Sequence, residues 1–117
     1  MTSEELKART QDFAIRIIRL VNALPRNSAG FIMGKQILRS GTSIGANYRA
    51  ACRARSRPDF VAKLAIAEEE ADETLYWLEL LSKSGIVKAS RIEKLMKEAD
   101  ELVAIMTSAR KTTEHGK

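Results

Sequence analysis

Residues 36–51 read QILRSGTSIGANYRAA, and they decide which fold the chain adopts. Within them, GTSIG at residues 41–45 matches Gly-x-Ser-x-Gly, the pattern of the nucleophile elbow in α/β-hydrolases. An elbow requires a β-strand before the serine, whereas here the whole stretch lies inside one helical period, with Ile37 and Ile44 on the same side. The stretch therefore predicts a helix that carries Ser43, and a scaffold rather than a hydrolase.

Ser43 also lacks the base that a serine nucleophile needs. The only histidine in the sequence is His115, and no lysine follows Ser43 at the spacing of a Ser-x-x-Lys pair. We therefore expect no enzymatic activity. The hydroxyl and amide groups of residues 40–47 are expected to bond to neighbouring helices or back to main-chain carbonyls. The alternative is that Ser43 and Asn47 line a specific polar site.

Four glycines lie on one side of the predicted second helix, and they leave that side without side chains. Gly30, Gly34, Gly41 and Gly45 are spaced by four, seven and four residues, so they share one side of a helix. A glycine inside a helix costs roughly 1 kcal/mol relative to alanine, so four of them need a compensating reason. We predict that another helix approaches closely along this flank, because small residues let two backbones come near.

Hydrophobic residues recur at steps of three and four along four segments, which is the period of an amphipathic helix. The first segment spans residues 3–24 and starts with a capping box from Thr2 and Glu5. Pro25 ends it, and the second segment covers about residues 28–55.

The third and fourth segments carry the same period. Ser56 is placed to cap the third segment, Gly85 to stop it and Ser90 to cap the fourth. The predicted seams consist of Leu6, Thr10, Phe13, Ile17, Leu20, Leu24, Ile37, Ile44, Tyr48, Ala51, Phe60, Leu64, Ala67, Ala71, Thr74, Leu78, Leu81, Ile92, Leu95, Ala99, Leu102, Met106 and Ala109. The sequence therefore predicts an all-α fold, an antiparallel up-down-up-down four-helix bundle over residues 1–112, followed by a disordered tail at residues 113–117.

The length and composition fit one compact domain of 117 residues. A single cysteine, Cys52, allows no intramolecular disulfide and no cysteine metal site. No apolar run approaches the roughly 20 residues that cross a bilayer, and residues 1–13 are too acidic and polar for a secretory signal. We therefore expect a cytoplasmic protein with no membrane attachment and no cofactor.

Charge is distributed unevenly along the chain, whose formal net charge is +5. No acidic residue occurs between Asp12 and Asp59, an interval that contains nine basic residues. The next stretch, from Asp59 to Glu79, holds seven acids against Lys63 alone. Such an asymmetry indicates either a polyanion-binding surface or two faces that attract each other.

Five of these basic residues fall within about 40° of one line on a helical wheel, opposite the apolar side. They are Lys35, Arg39, Arg49, Arg53 and Arg57, and we call them the basic stripe. Arginine suits planar contacts with phosphate or carboxylate, and the stripe lacks aromatic residues that would stack on bases. We predict that the stripe contacts the backbone of structured RNA or duplex DNA. Alternatively, it pairs with acids of the third helix or of a neighbouring subunit.

Arg55 departs from this pattern, because it falls on the apolar side of the wheel. Either the helix ends before Arg55, or Arg55 enters a subunit contact.

The acidic run EEEADE at residues 68–73 is a candidate for metal binding, because Glu69 and Glu73 lie four residues apart. Di-iron bundles require Glu-x-x-His pairs, and no histidine follows these acids. We expect a solvated face or ion-pair partners for the arginines instead, and no metal.

Apolar residues beside the seams predict self-association. Ile18 and Val103 widen the first and fourth seams, and Tyr76 with Trp77 lies just off the third. Large aromatic side chains in such positions usually fill a second interface. A bundle this small with wide apolar faces is therefore expected to form a homo-oligomer.

Several short motifs link the chain to a known family. One is Gln-x-x-Arg-Ser-x-x-Ser-x-x-x-Asn, formed by Gln36, Arg39, Ser40, Ser43 and Asn47. Asp59-Phe60 and the block Glu73-Thr74 with Trp77-Leu78 are two more. With these motifs the chain resembles the four-helix bundle proteins encoded in intervening sequences of bacterial 23S rRNA genes. The match spans nearly the whole chain and is strongest from Gln36 to Leu81.

The resemblance implies a compact bundle, a homopentameric ring and no enzymatic activity. A related branch, the accessory variability protein of diversity-generating retroelements, is a basic pentamer that binds nucleic acid and a reverse transcriptase. The family often has a glutamate three residues after Asn47, where this chain has Ala50, so any buried pairing of that glutamate is missing here. Together with the basic stripe, the resemblance implies a non-enzymatic adaptor that contacts RNA, DNA or a nucleoprotein partner.

Overall fold

The protein is a bundle of four α-helices joined by short turns, as a computed structural model that describes residues 1–115 shows. The helices are α1 (Ser3–Asn22), α2 (Ser28–Cys52), α3 (Arg57–Lys83) and α4 (Ala89–His115). Consecutive helices pack antiparallel in a rod of 49 × 20 × 19 Å. Residues 1–115 contain no strand, so the predicted all-α four-helix bundle is confirmed.

Side-chain caps start α1 and α3 where the sequence predicts them. Thr2 and Glu5 form the capping box of α1, in which each side chain accepts a hydrogen bond from the other residue's backbone N–H. The Ser56 hydroxyl accepts a hydrogen bond from the backbone N–H of Asp59 at 3.1 Å. These caps satisfy amide groups that a helix start leaves without partners.

Helix α4 differs from the prediction at both ends. It begins at Ala89, so Ser90 lies inside the first turn, and the predicted Ser90 cap is wrong. The helix continues through His115, beyond the predicted bundle boundary at residue 112. The last two residues of the predicted tail lie outside the described part of the chain. Gly85 stops α3 as predicted, with a backbone φ of +80° that favours glycine.

The four seams meet in one continuous core. All predicted seam residues are buried except Leu20, Phe60 and Ala109, which pack partly buried against the core. Two buried members, Thr10 and Thr74, are polar and bond to carbonyls of their own helices. Over the described residues, no helix is apolar for long enough to cross a membrane.

The glycine flank of α2 packs against α1, as its spacing predicts. A methyl group placed on Gly41 would lie 2.9 Å from the Ile17 side chain. A methyl group on Gly45 would lie 3.0 Å from the hydroxyl oxygen of Thr10. A methyl group would require Ile17 to shift at the first position and Thr10 to give way at the second, so close packing offsets the cost of glycine inside the helix.

Helices α1 and α4 meet less closely, and Arg9 bridges them. Its guanidinium donates two hydrogen bonds to Glu98, at 2.6 and 2.8 Å, and one to Glu101, at 2.5 Å. Sequence reasoning missed this bridge, because Arg9 lies outside the acid-free interval and its partners are 89 and 92 residues away. An ion pair over such a separation leaves no local periodic signal.

Candidate nucleic-acid interface

Ser43 lies in the middle of α2, with helix on both sides of it. Its hydroxyl donates a hydrogen bond to the carbonyl oxygen of Arg39 at 2.6 Å. Asn47 donates from its amide to the Ser43 carbonyl at 2.9 Å, and Thr42 donates to the Leu38 carbonyl at 2.7 Å. These polar groups therefore bond back to their own helix, as predicted, and the elbow geometry is absent.

The basic stripe does not continue along one helix, which corrects the prediction. Helix α2 ends at Cys52 rather than residue 55, and Arg53 occupies its C-cap. Arg57 is the first residue of α3, and its Nε donates to the carbonyl oxygen of Thr113 at 2.8 Å. Arg57 thus ties the start of α3 to the end of α4. Arg55 lies exposed in the turn, beyond the end of α2, as the first of its two alternatives predicts.

The side chain of Arg39 extends from α2 to the acids of α3. Its guanidinium donates to Glu70 at 3.1 Å and also bonds to Glu73. Trp77 donates from its indole N–H to the same Glu73 carboxylate at 2.9 Å. For this one residue, the structure shows the predicted alternative, pairing with the acids of the third helix. The Arg39 side chain remains 48% exposed, so its pairing is that of a surface ion pair.

Lys35 and Arg49 of α2, and Arg53 at its C-cap, remain as exposed cations. Within residues 1–115, none of the three has a carboxylate within ion-pair distance or a side-chain hydrogen bond. Arg49 and Arg53 line a cavity of about 340 Å³ beside the start of α1, together with Lys7 and the acidic Glu4. The structure therefore brings two of the five stripe residues together and leaves Lys35 near the opposite end of the helix.

The acidic run of α3 supplies ion-pair partners, as predicted. Glu68 accepts hydrogen bonds from Arg110 at 2.7 Å and from the Thr107 hydroxyl at 2.7 Å. Glu70 and Glu73 hold Arg39. The described residues contain no group of three or more histidine, cysteine or acidic side chains placed to hold a metal ion. The Arg110 bridge between α3 and α4 is a second contact that sequence reasoning did not assign.

The Glu68 carboxylate makes stability depend on acid pH. Its hydrogen bond with Arg110, aided by that with Thr107, lowers the pKa of Glu68 below its ordinary value. A lowered folded-state pKa adds stability above the unfolded pKa of about 4.3, and that stability is lost as the pH falls through the folded value. We expect Glu68→Gln to destabilise the protein at pH 7 and to flatten the loss of stability below about pH 4.5.

Chemical denaturation between pH 3 and pH 7 measures this effect. Glu69→Gln is the matched control, because Glu69 is the neighbouring acid, is exposed and makes no hydrogen bond or ion pair with the described residues. Equal pH profiles for the two variants would contradict the role of Glu68.

The fold and the exposed side chains define a class of protein: an all-α bundle whose helix α2 presents basic side chains at the surface, with acidic side chains concentrated on α3 and in other parts of the chain. A family described as 23S rRNA-intervening sequence protein matches residues 4–108. The chain belongs to the 23S rRNA-intervening sequence protein family, which the motifs around Arg39 and Asn47 indicated.

The chain is also similar to a solved structure. This is the crystal structure of a protein with unknown function from the S23 ribosomal protein family of Bacteroides thetaiotaomicron. The two chains are 44% identical, with a TM-score of 0.88, and the match covers 96% of this chain and 100% of that one. The comparison with curated proteins found no match.

Proposed function

We propose that the protein is a cytoplasmic, non-enzymatic homo-oligomeric adaptor that contacts the phosphate backbone of structured nucleic acid, free or within a nucleoprotein. The observation that carries this proposal is the state of Lys35, Arg49 and Arg53. They are exposed and have no carboxylate partner in the described chain, whereas Arg9, Arg39 and Arg110 are paired. Unpaired cations attract phosphates without having to break an ion pair first.

The mode of contact follows from the side chains that surround these cations. Arg49 and Arg53 stand beside Glu4, Lys7, Ala8 and Gln11 of α1, and this cavity contains no aromatic side chain. The one carboxylate there, Glu4, is paired with Lys7 at 3.2 Å. Stacking on unpaired bases therefore has no platform there. Contacts to the backbone of shaped RNA or of duplex DNA are the natural mode, with binding that depends on salt rather than on sequence.

The double variant Arg49→Gln with Arg53→Gln tests this role. We expect weaker binding to an RNA hairpin and a DNA duplex alike, and a slope of log K against log salt that is smaller by about two. Fluorescence anisotropy at four salt concentrations measures both quantities. Lys94→Gln with Lys97→Gln is the matched control, because it removes the same charge from exposed, unpaired residues of α4. The same loss in both variants, or no binding by the wild type at low salt, would rule out a site on α2.

The oligomer is proposed to form through the apolar surface beside α1 and α2. Phe31 and Ile32 of α2 are 66% and 63% exposed, and Ile15 and Ile18 of α1 are each 41% exposed. Phe31, Ile32 and Leu38 also line a cavity of about 550 Å³ between these helices. Several large apolar side chains exposed on two neighbouring helices favour burial in an assembly. The family resemblance implies that this assembly has five subunits.

Phe31→Ser with Ile32→Ser is therefore expected to convert the assembly to smaller species at micromolar concentration. Sedimentation velocity measures the change, and circular dichroism checks that the variant keeps its helices. A wild-type monomer under these conditions would remove the oligomer from the proposal. An unchanged assembly in the variant would place the subunit contact on another face.

A second candidate is a protein–protein scaffold without nucleic acid. It is favoured by Arg39, a residue of the basic stripe that forms ion pairs with Glu70 and Glu73 of α3 and so contacts protein instead of phosphate. In that case the variant at Arg49 and Arg53 would disrupt the oligomer and the wild type would bind no nucleic acid.

A further inference from the structure

A second basic surface lies at the end of the bundle where α1 meets α2 and α3 meets α4. A cavity of about 880 Å³ opens there between the last turns of α1, the α3–α4 turn and the first turn of α4. Four basic side chains line it: Arg16 and Arg19 from α1, and Lys88 and Arg91 from the start of α4. No acidic residue lines this cavity.

These four cations have no partners within residues 1–115. None of them makes an ion pair or a side-chain hydrogen bond there. By contrast, Arg9 lies about two turns before Arg16 on the same helix, and two carboxylates bind it. Four like charges around one cavity repel each other, so a bound anion would relieve a cost that the free protein carries.

The floor of the cavity is apolar. This floor consists of Leu20 and Leu24, near the end of α1, and of Ile86 and Val87 in the α3–α4 turn. Leu24 belongs to the core, and the other three pack against it. The backbone N–H of Val87 is fixed to the carbonyl oxygen of Leu81 at 3.1 Å, so this wall is held in place. The first turn of α4 contains no acidic residue, which leaves the partial positive charge of the helix start to add to the cations.

We propose that this cavity binds the phosphate end of a small phosphorylated molecule of nucleotide size. Its volume lies within the range of about 300 to 1,000 Å³ that small-molecule sites occupy. Arginine side chains bind phosphate oxygens in a bidentate manner, and three of them, Arg16, Arg19 and Arg91, line this cavity. The apolar floor accommodates the uncharged body of the ligand. This cavity includes none of the residues of the proposed nucleic-acid site, Lys35, Arg49 and Arg53. The small-molecule site and the nucleic-acid site can therefore be tested separately.

Isothermal titration of the full chain with inorganic pyrophosphate and with adenosine diphosphate tests the site. We expect one molecule of each to bind per chain. Adenosine diphosphate is expected to bind more tightly than pyrophosphate, because its nucleoside covers the apolar floor. Arg16→Gln with Arg91→Gln is expected to weaken both at least about tenfold. The control Lys94→Gln with Lys97→Gln, with the same charge change, is expected to leave both within about twofold. Shifts of the Ile86 and Val87 amide resonances in the wild type give a readout that needs no variant.

An RNA duplex in the same experiment identifies the source of the phosphate. The proposal is wrong if the duplex alone binds and loses affinity in Arg16→Gln with Arg91→Gln, because the phosphates then belong to nucleic acid. It is also wrong if the control variant weakens pyrophosphate as much, since binding would then follow net charge only. Absence of any shift at Ile86 and Val87 would equally overturn it.

Discussion

Gly30→Ala is expected to lower the free energy of unfolding by about 1 to 3 kcal/mol and the melting temperature by roughly 4 to 12 °C. A methyl group on Gly30 would lie 2.0 Å from the carbonyl oxygen of Pro25 and 3.1 Å from its carbonyl carbon. Both are backbone atoms, so no side-chain rotation can make room. The α1–α2 turn would have to move instead.

Moving that turn disturbs the start of α2. The Pro25 carbonyl accepts a hydrogen bond from the Asn27 backbone N–H at 3.0 Å, and the Asn27 side chain accepts one from the Gly30 N–H at 2.9 Å. Loss of such a cap costs about 1 kcal/mol, and overpacking adds about 1 to 3 kcal/mol. The higher helix propensity of alanine offsets only about 1 kcal/mol of this sum.

Gly34→Ala is the matched control, one turn further along the same flank. Its methyl group would meet the ends of the Leu24 and Val21 side chains, each at 3.3 Å. Side-chain ends can shift by a few tenths of an ångström, and alanine favours the helix, so this variant is expected to stay within about 1 kcal/mol of the wild type. Thermal and chemical unfolding at one fixed protein concentration compares them. Equal stability of the two variants would contradict the tight turn.

The glycines show how far the sequence alone can lead. Their spacing predicted that another helix lies close to one flank of α2, and α1 does so. The spacing did not show that Gly30 faces a backbone carbonyl while Gly34 faces flexible side chains. That difference depends on the path of the backbone in the turn at Pro25. The spacing of residues along a helix gives no information about this path. The helices and the core were predictable for the same reason that the turn was not: burial repeats along a helix, and turns do not.

The basic stripe does not follow one continuous helix, for a related reason. A helical wheel places Arg57 in line with Arg49 and Arg53 only if one helix continues through residues 53–57. The chain instead breaks after Cys52, where Ser56 caps a new helix. The sequence held both signals, and the cap at Ser56 outweighs the continuing charge pattern. The bridges of Arg9 and Arg110 were not predictable, because they join residues that only the tertiary fold brings together.

Thr74→Val is expected to cost about 2 kcal/mol, although valine has the same shape as threonine and leaves no cavity. Thr74 and Ser40 are both fully buried, and their hydroxyl oxygens lie 2.8 Å apart between α3 and α2. The Thr74 hydroxyl is also 2.7 Å from the Glu70 carbonyl oxygen. The other hydrogen bond that the Ser40 hydroxyl makes with the described residues goes to the Ile37 carbonyl, at a long 3.5 Å. Valine at position 74 would therefore leave the Ser40 hydroxyl buried without a good partner.

A double-mutant cycle distinguishes this cost from a loss of packing. Ser40→Ala alone is expected to cost less than Thr74→Val, because Thr74 keeps its bond to the Glu70 carbonyl. The double variant removes both hydroxyls, leaves no buried group unsatisfied, and is expected to recover about 1 kcal/mol relative to Thr74→Val. Urea unfolding of the four proteins gives the coupling energy. If the two single effects simply add, the hydroxyls do not depend on each other, and the Thr74–Ser40 contact adds nothing to the apolar packing and the Arg39 ion pairs that join α2 and α3.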